Sequence, residues 1–141
     1  MAHWLLKSEP STWSWAQQVA CGAKGTHWNG VRNYQAANNM KAMAIGDRCF
    51  FYHSNEERAV VGIVEVIKTY YPDPSDESGR FGMVDVKAVE PFKTPVTLAA
   101  IKADERFADI ALVRQSRLSV MPVSDAHWAL IRKMGGLTAK S

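Results

Sequence analysis

Cysteine is scarce in this chain, with only Cys21 and Cys49 among 141 residues. Two thiols build no disulfide framework and match no metal-ligand spacing, so the sequence reads as a reduced, cytoplasmic protein. No run approaches the ~18 apolar residues of a membrane span. No basic segment precedes a long apolar one at the N-terminus, as a secretory signal requires. Also missing are a Gly-x-Ser-x-Gly elbow, a phosphate loop ending in Gly-Lys-Ser/Thr, a dinucleotide glycine fingerprint and a His-Glu-x-x-His pair. The four histidines, His3, His27, His53 and His127, are scattered, and none stands at i, i+4 to another. Neither a metal nor a cofactor is expected. Cys49 and His53 share a strand face but lie ~13 Å apart, so Cys49 reads as a buried apolar residue.

What is present starts with charge. The length gives one domain, residues 1–141, able to bury roughly 70% of its unfolded surface. Residues 1–54 carry five Lys/Arg against two Asp/Glu, residues 111–141 five against one, and residues 55–110 seven against eleven. Two basic ends flank an acidic middle. They make one surface attractive to a polyanion only if the fold brings them together; a merely solvated surface fits the same numbers.

The pattern predicts a strand from His3 to Lys7, and a helix opened by a Ser11-Thr12 cap, running to about Ala20 and stopped at Gly22. A second helix spans about Asn33 to Met43. Arg48–Ser54 and Ala59–Lys68 form a hairpin, and Val84, Val86 and Ala88 alternate as a strand with one wet face. The loop-like stretch Tyr71 to Gly79 joins two strands. Thr97 caps a short helix, Leu98 to Lys102. Leu118–Val123 is the last strand, and Ser124 caps a closing helix stopped by Gly135. Five to six short strands with flanking helices argue for an α+β fold, a small curled sheet or barrel.

The richest stretch is His27 to Met40, which places a Trp, a Gly, an Arg, a Tyr and four Asn before and along a helix. Trp28 stands at an element boundary, where an indole is half exposed and free to stack on a base for ~1–3 kcal/mol. The helix start, with Arg32 just outside it, is suited to an anion; alternatively, Asn33 caps the helix and Arg32 pairs with an acid. Adjacent Asn38 and Asn39 are weak helix formers, so something other than helicity places them. Gly30 allows close approach of a ligand to backbone. In Phe50-Phe51-Tyr52-His53-Ser54 one face is core and the other faces a cavity. Gly62 on the partner strand marks a bend or a close approach. Ser8-Glu9-Pro10 sets a carboxylate at a turn, where it can accept from an exocyclic amine or simply be solvated.

Lys7-Ser8-Glu9-Pro10, Trp28-x-Gly-Val-Arg-Asn-Tyr-Gln-Ala, Phe50-Phe51-Tyr52-His53-Ser54, Val61-Gly62-Ile63, Tyr71-Pro72-Asp73, Met83-Val84-Asp85-Val86 and Arg114-Gln115-Ser116-Arg117-Leu118-Ser119-Val120 occur in order along the chain. Together they resemble the EVE-domain family. The resemblance implies a PUA-like barrel with flanking helices, related to YTH and ASCH domains. It also implies a reader of a modified nucleobase in RNA or DNA, which we expect to be non-catalytic; no membrane partner is expected, and a monomer is favoured. Two departures are Ala37 in place of a common Arg and Phe81 in place of a frequent Trp. On this reading Lys7, Arg32 and Arg117 hold phosphates, and Trp28 stacks on the base with Tyr52 or Phe51. Ser8, Glu9, Asn33, His53 and Ser119 read its edge or close the pocket, which Pro10, Gly30, Val31, Ser54 and Leu118 complete. The alternatives are an enzyme using Glu9 or His53 as acid–base on a nucleoside or nucleic acid, and a sensor of a free nucleobase.

Overall fold

A computed structural model describes residues 2–55 and 57–137. Six strands, β1 (His3–Ser8), β2 (Thr26–Trp28), β3 (Arg48–His53), β4 (Ala59–Pro72), β5 (Gly82–Thr97) and β6 (Val120–Val123), form one sheet in the order β2-β5-β4-β3-β1-β6. Only β1 and β3 run parallel; every other pairing is antiparallel. Register shifts along β4 and β5 and at Phe51/Tyr52 accompany the curl of the sheet into a half-barrel, since bulges bend and twist a strand. The expected α+β class and strand number are thus met. The hairpin, the 71–79 connection and the closing strand also stand where the sequence puts them, although β4 and β5 are longer than predicted.

Five helices surround the sheet: α1 (Trp15–Ala20), α2 (Tyr34–Lys41), α3 (Leu98–Lys102), α4 (Ala111–Arg114) and α5 (Asp125–Met134). None is long and apolar enough to cross a membrane. Asn33, Thr97 and Ser124 cap α2, α3 and α5 through their side chains. The first helix differs from expectation. Its cap is Ser14, in a reciprocal capping box with Gln17, and not Ser11-Thr12. Two donors are satisfied at once by this Ser-x-x-Gln arrangement, which leaves residues 9–13 as a turn. In that turn the Glu9 carbonyl accepts from the backbone N–H of Thr12 and of Trp13, both at 2.9 Å.

Both faces of the sheet contribute to the core, since the consecutive strand residues 4–6 and 49–52 are all buried; Leu5, Phe50, Ile63, Val84, Met121 and Ile131 are fully buried. Trp128 of α5 stacks on Phe50 at 3.8 Å between ring centroids. Cys49 is fully buried, and that burial pushes its thiol pKa up. Gly62 is the close approach the sequence signalled: a Cβ there would lie 2.5 Å from the Trp15 indole. Asn39 is also placed by something besides helicity, since its Nδ2 donates to the Val120 carbonyl at 2.7 Å and ties α2 to β6.

Candidate functional site

The C-terminal end of β1 opens onto a cavity of about 390 Å³ lined by Lys7, Ser8, Glu9, Thr12, Trp13, Thr26, His27, Trp28, Asn29 and Gly30. Three local structures converge there. The turn after β1 brings Glu9, Thr12 and Trp13. It is held by Ser8, whose hydroxyl donates to the Trp13 carbonyl at 2.6 Å, and the Trp13 indole N–H donates to the buried Gln18 at 2.9 Å. The edge strand β2 brings Trp28, paired with Val84. The backbone beyond it supplies Asn29 and Gly30, whose positive φ of 82° suits glycine.

Trp28 is 7% exposed, not half exposed as its place at an element boundary implied. Its indole meets Phe51 edge-on, with centroids 5.4 Å apart and planes at 88°, and β2 pins its backbone to β5. It lines the cavity with a small part of its surface. Trp13 is half-buried and supplies a second aromatic wall. The Ser11-Thr12 cap expected from the sequence would put Trp13 inside the first helix; the Ser14-x-x-Gln17 pattern was the available signal that Trp13 precedes it.

Other predicted residues fall into distinct places. Lys7, Ser8, Glu9, Trp28 and Gly30 meet at the cavity. Phe51, Tyr52 and Val31 are buried and lie outside its lining: Phe51 backs Trp28, and the Tyr52 ring lies 5.8 Å from the Lys7 ammonium. Pro10 belongs to the turn. Ser54 and His53 also stand behind the cavity instead of lining it. The Ser54 N–H donates to the Ser8 carbonyl at 2.9 Å. His53 Nε2 accepts from the Trp15 N–H at 3.0 Å, which leaves the proton on Nδ1, where it is donated to Glu57. Both ring nitrogens are engaged, so His53 fixes the start of α1 and is not placed for acid–base work on a ligand.

Arg32 requires the clearest correction. Its guanidinium donates to Asp73 at 3.1 Å, to its neighbour's carbonyl at 3.0 Å and to the Ser75 hydroxyl at 2.9 Å. It pairs with an acid, and that acid is buried. Burial alone would raise the Asp73 pKa. Bonds from the Ser75 hydroxyl, the Gly30 and Ser75 backbone N–H groups and Arg32 outweigh it and hold the carboxyl well below the usual carboxylate range. Asn33 likewise uses its side-chain oxygen to cap α2, accepting from Ala36 at 2.9 Å.

Lys7 and the third predicted cation, Arg117, lie on neighbouring surfaces. Lys7 is half-buried, and burial pushes its pKa down. Its ammonium donates to the Ser116 carbonyl at 2.8 Å and its backbone N–H to the Ser119 carbonyl at 2.9 Å. Arg117 is exposed, and Leu118 is buried beside it. The basic N- and C-terminal parts of the chain therefore do meet, at the end of β1. Among the described residues no group of three His, Cys, Asp or Glu is placed to hold a metal ion.

An EVE domain profile matches residues 2–134. The chain belongs to the EVE domain family. Its sequence is 33% identical to chicken thymocyte nuclear protein 1, covering 92% of this chain and 66% of that one; the chain thus spans just under two thirds of that relative's length. Among solved structures, Rpa0253 from Rhodopseudomonas palustris is 60% identical with a TM-score of 0.91, covering 96% of this chain and 94% of the other. Human THYN1, solved in complex with DNA containing 5-methylcytosine, is 30% identical with a TM-score of 0.89, covering 96% and 98%. The YTH domain of Zygosaccharomyces rouxii MRB1, solved with N6-methyladenosine RNA, is 15% identical with a TM-score of 0.58, covering 97% and 88%. That last likeness concerns the fold, which this EVE domain shares with the PUA-like group.

Proposed function

We propose that this EVE domain is a non-catalytic module that binds nucleic acid carrying a modified base, with the base in the cavity between Trp13 and Trp28. The observation that carries the proposal is the lining itself. Two indoles from separate elements meet at one concave site, with the Ser8, Thr12, Thr26 and Asn29 polar groups and the Glu9 carboxylate around them. Each stacking aromatic contributes ~1–3 kcal/mol to a bound base, and the polar groups suit a heterocycle edge. The Lys7 ammonium at the rim supplies positive potential for a phosphate.

The 5-methylcytosine DNA bound by the 30% identical human relative supports the same ligand class here. Binding is favoured over catalysis because His53, one of the two acid–base candidates, is committed to Trp15 and Glu57. Preference for a methylated over a plain base comes from filling the methyl's space, about 10–200-fold for one such group.

Melting of the protein with a panel of methylated and plain nucleosides and short single strands tests this, since a ligand stabilises by RT ln(1 + [L]/Kd). The proposal expects a shift with an oligonucleotide carrying 5-methylcytosine or N6-methyladenine that exceeds the shift with its plain counterpart. Shifts with free bases equal to those with oligonucleotides would favour the small-molecule sensor.

A further inference from the structure

A second concavity, about 370 Å³, lies between the start of α2 and the connection from α4 to β6, lined by Asn33, Gln35, Arg114, Gln115, Ser116, Arg117 and Leu118. We propose that this groove, with Arg114 and Arg117 as its cations, holds the sugar–phosphate backbone next to the base bound in the Trp28 cavity. The inference rests on the base-reading function proposed above and assigns the place where the flanking strand runs.

Four observations carry it. The first is contiguity. Lys7 lines the cavity and Ser116 lines the groove, and the Lys7 ammonium donates to the Ser116 carbonyl at 2.8 Å. On the other side Gly30 of the cavity and Asn33 of the groove are three residues apart, a span of at most about 11 Å. The two concavities share a wall.

The second is the state of the arginines. Arg32, Arg48, Arg106 and Arg132 are each paired with a carboxylate. Arg114 and Arg117 are exposed, and among the described residues their guanidinium groups make no hydrogen bond or ion pair. An unpaired guanidinium presents a fork of donors matched to phosphate oxygens.

The third is the absence of competing negative charge. Residues 31–46 and 110–124, which form both walls, contain no Asp or Glu. A phosphate entering between them meets only positive and neutral groups, and the Gln35 and Gln115 amides add donors. The fourth is the commitment of Arg32 to Asp73, which removes the other arginine beside the cavity and leaves this groove as the cationic surface adjoining it.

Salt dependence of binding tests the assignment. Wild type, R114A/R117A and a control K93A/K133A, which removes two charges near the C-terminal end of α5, are titrated with one single strand carrying 5-methylcytosine between about 50 and 200 mM salt. All three are expected to melt alike, because the Arg114 and Arg117 side chains bond to nothing in the fold. For R114A/R117A the slope of log K against log salt should fall by about 1.4, two phosphates at about 0.7 each. Affinity at the low end of the range should fall about tenfold, uniformly across sequences. Free 5-methyldeoxycytidine should bind wild type and R114A/R117A equally, and K93A/K133A should keep the wild-type slope. An unchanged slope and affinity for R114A/R117A overturn the groove while the cavity reading stands. An equal loss in K93A/K133A also overturns it, because net charge then accounts for the effect. Absence of any oligonucleotide binding by wild type overturns the cavity reading and this inference together.

Discussion

The buried carboxylate of Asp73 accepts from the Arg32 guanidinium at 3.1 Å, and its side chain is fully enclosed while that of Arg32 is 39% exposed. The same carboxylate accepts from the Gly30 backbone N–H at 2.9 Å. The connection between β4 and β5 is thereby fastened to the rim of the cavity. Removing Arg32 strips a charged donor from a carboxylate whose side chain is fully enclosed. Arg32→Ala is expected to cost about 1–3 kcal/mol of stability by denaturant melt. It should leave the salt slope of oligonucleotide binding close to wild type, the opposite of what a direct phosphate ligand would show.

Acid should loosen the same rim. The folded pKa of Asp73 is depressed below that of an unfolded aspartate, ~3.9, so its contribution to stability is fully present above that value and is lost as pH falls toward the folded pKa. Melting temperature followed from neutral pH downward should decline below about pH 4 more steeply in wild type than in Asp73→Asn, which has already lost the charge. Parallel acid limbs in the two proteins would contradict this.

Trp28 is now expected to behave as a core residue. Trp28→Ala should cost about 3–5 kcal/mol, enough to threaten folding of a domain this size. Trp28→Phe keeps an aromatic against Phe51 and should remain folded, with weaker binding of the methylated strand from the smaller stacking face. Trp13→Ala, at a half-buried position, should cost the fold less and still weaken binding, by ~1–3 kcal/mol. Paired melts and titrations on each variant separate the two effects.

Gly62→Ala places a methyl within 2.5 Å of the Trp15 indole. The indole must move, and α1 with it. A loss of about 1–3 kcal/mol is expected by denaturant melt, as for other overpacking changes.

Much of this was written in local patterns. Asn33, Thr97 and Ser124 each stand just before an apolar-periodic run, and Gly62 interrupts a Val/Ile strand, so caps, helices and the close approach were legible. Trp13 was misplaced because Ser11 and Thr12 are also good caps; the Gln three residues after Ser14 decides between them by bonding back to the Ser14 N–H at 2.9 Å. The fate of Arg32 was open in the sequence, since no spacing rule connects it to an acid 41 residues away. Local reading also suggested an exposed Trp28, but β2 is a three-residue strand whose pairing with β5 is set by tertiary contacts. The Lys7, Ser8, Glu9 and Trp28 cluster followed from family-like motifs; the backing roles of His53 and Ser54 required the fold.

The central claim is that the Trp13–Trp28 cavity takes the modified base, and the indole N–H resonance of Trp28 reports on it directly. In ¹⁵N-labelled protein titrated with a short single strand carrying one 5-methylcytosine, that resonance is predicted to shift saturably. The plain strand should produce the same shift only at concentrations about tenfold or more higher. Saturable binding of the methylated strand with the Trp13 and Trp28 indole resonances unmoved would contradict the account.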